Sequence, residues 1–143
     1  LLCGLPSSGK TTFYEYELEQ DYPRVEIPVG KSDSKMIDEY ILQKKSFVID
    51  GRFITKAERE PVLKRLKAAG YHIVCYFTNY SLAEISEMND YRAYEDRTAV
   101  MKIKMLEKLL ERPERREGID SLYFVHALEI GQKHKTKWEY TKK

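Results

Sequence analysis

One short stretch of this chain combines residue types and spacing that point to a reaction: a lysine between a glycine and two threonines, at the end of a glycine-framed turn. Gly4-Leu5-Pro6-Ser7-Ser8-Gly9-Lys10-Thr11 satisfies the phosphate-binding pattern G-x-x-x-x-G-K-[ST] at every fixed position. Glycines at 4 and 9 let the main chain curl, so that successive N–H groups face a phosphate with a helix dipole behind them. The cradle so defined comprises Gly4, Pro6, Ser7, Ser8, Gly9, Lys10, Thr11 and Thr12. Lys10 can then reach the β- and γ-phosphates of ATP, and the Thr11 hydroxyl can complete the shell of a Mg²⁺ ion. The plain alternative is a Gly/Ser turn ahead of a surface helix. The flanks favour the cradle, because Leu1-Leu2-Cys3 reads as the end of a strand and Thr12 to Gln20 as a helix.

A chain of 143 residues makes one domain (1–143) with a full core. Charged residues at 34% against 42% hydrophobic suit a soluble globular protein. A net charge of +2 permits a nucleic-acid partner without arguing for one. No apolar run approaches the roughly 20 residues that span a bilayer, and no signal peptide is visible, so a cytoplasmic protein without membrane contact is expected. Cys3 and Cys75 fall in apolar runs and read as reduced, buried thiols. The first strand opens without a methionine, so residues ahead of Leu1, or whole upstream domains, are expected to be missing from this sequence.

The elements that must position the cradle follow in alternation. Val25 to Val29 reads as a second strand, Gly30 to Ser34 as a turn, and Met36 to about Lys45 as a helix. Ser46-Phe47-Val48-Ile49-Asp50 has the form of a buried parallel strand delivering an acid to its C-terminal edge. Thr55-x-x-Glu58 caps a third helix with Val62, Leu63 and Leu66 inward, and Pro61 inside it predicts a kink or a fresh start. His72 to Phe77 forms a fourth strand, and Ser81-x-x-Glu84 caps a fourth helix. The polar stretch Asn89 to Arg97 reads as mobile rather than packed. A fifth helix from about Thr98 turns Met101, Met105, Leu106 and Leu109 inward, Leu122 to Val125 forms the last strand, and a basic tail of about 131–143 closes the chain. Strand–helix alternation predicts a three-layer α/β fold whose strand C-termini share one ligand-binding rim.

These residues resemble the polynucleotide 5′-hydroxyl kinases, the P-loop kinase module of nucleic-acid end-healing enzymes. The likeness rests on Gly-Leu-Pro-Ser-Ser-Gly-Lys-Thr-Thr at 4–12 and on Phe47-Val48-Ile49-Asp50 followed by Arg59, Pro61 and Ala68-Ala69-Gly70-Tyr71. It extends to Asn89-Asp90-x-Arg92 with Arg97, and to Pro113 followed by Glu117-Gly118-Ile119-Asp120. The resemblance implies a P-loop fold with a five-stranded parallel sheet in order 2-3-1-4-5, and transfer of the ATP γ-phosphate to a 5′-OH end of RNA or DNA. It also implies fused or partner end-healing domains. It makes Arg92 and Arg97 the cationic lid that closes over the phosphates with Lys10 below, and Asp33, in Ser32-Asp33, the general base for the acceptor hydroxyl. Asp50 is the alternative base, or a Mg²⁺ ligand acting through water.

Plainer readings stand beside these. Arg92 and Arg97 would otherwise be a solvated face next to Glu95 and Asp96, Asp33 would cap the following helix, and Asp50 would cap the turn at Gly51. Arg112, Arg115 and Arg116 interleave with glutamates as a solvated helix end does. The stretch Lys133 to Tyr140 mixes cations with aromatics, as single-strand binders and frayed termini both do. His72, His126 and His134 lack metal-ligand spacing. The chain departs from the family on the acceptor side, where Gly51-Arg52-Phe53 replaces an Asn-Thr-Asn-like run and Met36 an arginine; Arg52 at the rim is the candidate replacement charge. Two other functions stay open: a kinase of a small-molecule hydroxyl, such as a nucleoside or metabolite, and a non-catalytic nucleotide-binding module.

Overall fold

The computed structural model describes residues 1–28, 35–90, 92–127 and 138–143. The expected base Asp33, the turn 30–34, His134 and most of the tail lie outside the described residues. Among those described, the chain is α/β, with six strands and five helices. The strands are β1 (Leu2–Cys3), β2 (Arg24–Glu26), β3 (Val48–Asp50), β4 (Val74–Thr78), β5 (Ser121–Ala127) and β6 (Trp138–Lys142). The helices are α1 (Lys10–Glu17), α2 (Lys35–Leu42), α3 (Lys56–Ala68), α4 (Leu82–Asp90) and α5 (Val100–Leu109). No described helix is long and apolar enough to cross a membrane.

The sheet runs β2-β3-β1-β4-β5-β6, with the first five strands parallel. The sixth corrects the expected all-parallel sheet: Trp138–Lys142 pairs antiparallel to β5, from Ala127↔Trp138 to Tyr123↔Lys142. Part of the stretch read as a tail is therefore an edge strand, and the sheet is mixed. Its alternation of Trp138 and Tyr140 with Glu139 and Thr141 is the two-residue period of a strand.

Both faces of the sheet carry helices. Ile37 of α2 and Val62, Leu63 and Leu66 of α3 pack on Cys3, Val25, Ile49, Cys75, Phe77 and Leu122. On the opposite face, Phe13, Tyr14 and Leu18 from α1 and its end cover Leu2, Val48 and Val125. Each large apolar side chain so buried contributes about 1.5–3 kcal/mol. Cys3 and Cys75 are free and buried, their sulfurs 3.7 Å apart.

Three local expectations are corrected. Of the kink or fresh start expected at Pro61, the fresh start is absent, since α3 is one helix from Lys56 to Ala68. Thr55 accepts from the Glu58 amide (3.2 Å) as the capping pattern requires. Helix α5 is rotated from its expected phase, with Ile103 and Leu106 buried against α4 while Met101, Met105 and Leu109 face outward. The stretch 89–97 is not uniformly loose, because Asn89 closes α4 at 3% exposure and Tyr94–Asp96 forms a 3₁₀ turn.

Two ion pairs fasten α3 to the region leading into β5. Arg59, fully buried, is gripped by Glu117 through Nε (2.9 Å) and Nη2 (3.2 Å), and its Nη1 donates to the Phe53 carbonyl (2.8 Å). At the other end of α3, Lys67 Nζ meets Asp120 at 2.6 Å, and the Ile73 amide donates to the same carboxylate at 2.7 Å. The Ile73 N–H first, and Lys67 after it, hold the Asp120 carboxyl below its ordinary pKa of 3.8. A carboxylate whose pKa falls on folding stabilises the native state above its unfolded pKa, and that contribution fades as pH drops through the folded value. Asp120→Asn is therefore expected to melt below the native chain near neutrality, with the gap closing in acid. Thermal melts between pH 2 and 7 check this; a gap independent of pH would remove the charge from the explanation.

Candidate functional site

The curl after β1 turns on two glycines, of which Gly4 has no room for a side chain and Gly9 takes a backbone angle that strains one. Gly4 has φ 152°, and a Cβ there would collide with the Thr78 hydroxyl. Gly9 is left-handed at φ 83° immediately before α1. Between them Ser7 also has positive φ, 62°, a conformation that costs a non-glycine residue about 1–2 kcal/mol. Hydrogen bonds hold the strained turn: Ser8 N donates to Leu5 O (3.2 Å), and the buried Ser8 hydroxyl meets Thr78 Oγ1 (2.5 Å). Thr78 Oγ1 donates in turn to the Cys3 carbonyl (3.3 Å). Thr78, at the C-terminal end of β4, thus pins the curl to the sheet.

Among the described residues no backbone carbonyl partners the N–H groups of Gly9, Lys10, Thr11 and Thr12, which open α1. Thr11 is exposed and Thr12 half-buried on that first turn. Lys10 Nζ turns back to donate to the carbonyls of Gly4 and Gly51, both at 3.1 Å. Burial presses its pKa below the ordinary lysine value, and the charge of Asp50 partly restores it. An ammonium held on two carbonyls at a desolvation cost is one that a more strongly charged acceptor can draw away.

Asp50 ends β3 at 7% exposure, in register with Leu2 of β1 and Glu26 of β2. Burial raises its carboxyl pKa, opposed by Lys10 and then by Arg24, whose Nη1 lies 3.7 Å from Oδ2. Such a carboxylate can accept a proton from a hydroxyl or hold a metal-bound water. The next residues do not reach across the rim: Arg52 Nη2 is bound to Glu58 (3.2 Å), with its Nε buried and without a partner.

The flap residues divide. Arg92 Nη1 donates to Ser7 Oγ (2.9 Å), joining positions 85 apart in the chain, so one expected lid cation touches the curl. Arg97 does not reach it in this arrangement. Its Nε donates to Arg92 O (3.1 Å), its Nη2 to Asp90 O (2.8 Å), and its guanidinium lies over the Tyr94 ring.

Three participants escaped the sequence reading. Thr78 carried a weak signal, as a hydroxyl at the rim end of a predicted strand. Asn89 was read as part of the flap rather than as its anchor. Trp138, the single tryptophan, packs edge-on to Phe13 (5.0 Å between centroids), and a Cβ on Gly9 would sit 3.7 Å from its ring. On the β5 side of the rim, His126 Nε2 meets Glu84 Oε2 (2.5 Å) and its ring lies on Tyr80 (4.6 Å).

No group of three or more His, Cys, Asp or Glu among the described residues could hold a metal by itself. The oxygen donors Thr11 and Asp50 suit a hard cation that takes its remaining ligands from phosphate and water. No protein-family model matches the chain, and a search of curated proteins finds no match.

Proposed function

We propose that this chain is a P-loop phosphotransferase that moves the γ-phosphoryl group of ATP to the 5′-hydroxyl end of RNA or DNA. The observation that carries the reading is the meeting of Arg92 with Ser7 in the same turn that bears Lys10, which brings two cations, 82 positions apart in the chain, to one curl. The strand order of the parallel part, β2-β3-β1-β4-β5, and the β1–curl–α1 sequence support a P-loop kinase.

Catalysis of this kind is mainly positioning and charge stabilisation. The N–H groups of Gly9 to Thr12 hold the phosphate chain at the helix dipole. Lys10 leaves its two carbonyls for the β- and γ-oxygens, and Arg92 exchanges the Ser7 hydroxyl for the transferring group from above. Asp33 is the base that takes the hydroxyl proton, with Asp50 as the alternative base or the holder of a metal-bound water. Mg²⁺, bound with the nucleotide next to Thr11 and Asp50, would supply neutralisation of developing phosphate charge.

The test presents γ-labelled ATP with 5′-OH oligonucleotides, with mononucleosides and with no acceptor. Label in the oligonucleotide alone is the expected result. Label in the nucleoside would move the acceptor to a small molecule, and binding without transfer would reduce the chain to a nucleotide-binding module. Trp138 fluorescence on titration with Mg-ATP reports the binding step separately.

A further inference from the structure

The flap that carries Arg92 hangs from one buried side-chain amide. Asn89 Oδ1 accepts from the Thr98 amide (2.9 Å) while Asn89 Nδ2 donates to the Thr98 carbonyl (2.8 Å), so the two ends of the 90–97 loop are clasped together. The same Oδ1 accepts from Ser7 Oγ (2.9 Å), 82 positions away, in the strained part of the curl. Ser7 Oγ donates most closely to Asn89, with Thr98 Oγ1 a longer partner at 3.5 Å, and offers a lone pair to Arg92 Nη1. At 3% exposure Asn89 has no water to fall back on, so loss of any of these bonds leaves a buried polar group unmet.

We propose that Asn89 is the positioning residue that sets the arginine flap against the curl, with the Ser7 hydroxyl as the resting partner that Arg92 gives up to a phosphoryl oxygen. Asn89 touches no substrate; it acts through the orientation of Arg92, which it sets through the clasp on Thr98 and the shared Ser7 hydroxyl. The proposal rests on the phosphotransferase reading, and the measurements separate the two. Arginine delivered from a flap contributes on the order of 10³-fold to transfer. A misplacement of about 1 Å costs on the order of 10²-fold.

The experiment compares Asn89→Ala, Arg92→Ala and the double variant in single-turnover transfer, with nucleotide affinity read from Trp138 fluorescence. Asn89→Ala is expected to slow transfer about 10²-fold, with the dissociation constant for Mg-ATP moved less than about threefold. The double variant is expected to be no slower than Arg92→Ala alone, because the asparagine has nothing left to position. Unchanged transfer in Asn89→Ala, or losses that multiply in the double variant, would overturn the proposal. A native chain that neither binds nor transfers would instead overturn the phosphotransferase reading. Asn89→Asp covers the case of a chain too weakened to fold, since it keeps the shape and the accepting oxygen but loses the donor to Thr98. It is expected to be slowed with affinity kept, and trypsin is expected to cut after Arg92 and Arg97 sooner than in the native chain. Native rates of transfer and cutting in Asn89→Asp would also count against the clasp.

Discussion

Lys10→Met is expected to slow phosphoryl transfer by at least about 10³-fold while the chain stays folded. The ammonium is the one cation at the base of the curl, and nothing else described there can follow charge onto the phosphate oxygens. Its cost to the native state is already visible. Burial depresses its pKa, so the folded chain tolerates the charge instead of gaining from it. Methionine keeps the apolar stem and removes that cost, but it also withdraws the charge that offsets the burial of Asp50 and the donor to two carbonyls, so the variant is expected to melt near the native chain rather than above it. Initial rates of label transfer and a thermal melt of the same preparation check both halves. A rate within tenfold of native would take Lys10 out of the chemistry, and a collapsed melt would make it a structural residue.

The largest loss of stability is expected from Glu117→Ala. It would leave the Arg59 guanidinium, 0% exposed, with only the Phe53 carbonyl. Breaking one side of a buried pair costs about 3–5 kcal/mol, because the remaining charge is neither solvated nor matched. For a chain of this size that lowers Tm by on the order of 10–15 °C. Replacing both partners by apolar residues, Arg59→Met with Glu117→Leu, should recover most of the loss, since the desolvation cost disappears together with the attraction. Calorimetry on the three chains tests the pair. A single variant that melts with the native chain would show that the ion pair does not hold α3 to the segment before β5.

Much of this architecture was readable before any coordinates. The alternation of short apolar runs with helical periods predicted parallel strands between helices, the resemblance supplied their order, and the last strand expected at Leu122–Val125 runs longer, from Ser121 to Ala127, in register with β4. Fixed spacing carried the curl, because its two glycines are demanded by backbone angle and by the closeness of Thr78. What failed to show was mostly long-range. The phase of α5 depends on which neighbour it meets, and a helix with methionines and leucines on several sides can be turned either way. Helix α4 takes Ile103 and Leu106, leaving the Met101–Met105 stripe outside. The clasp at Asn89 is invisible in one dimension because its partners lie 9 and 82 positions away. β6 was hidden by the lysines that flank it, which suggest a solvated end when read as composition, whereas the alternation within Trp138–Lys142 is that of an edge strand.

The placement of β1 has a kinetic consequence. The two residues of β1 lie at the middle of the sheet, between β3 and β4, and the partners of Leu2 follow 48 and 74 positions later. Closing such long loops comes before most of the reward of pairing, which slows refolding relative to a helical bundle of similar size. During synthesis β1 would emerge ahead of both neighbours and wait, unpaired with them, until they had been made.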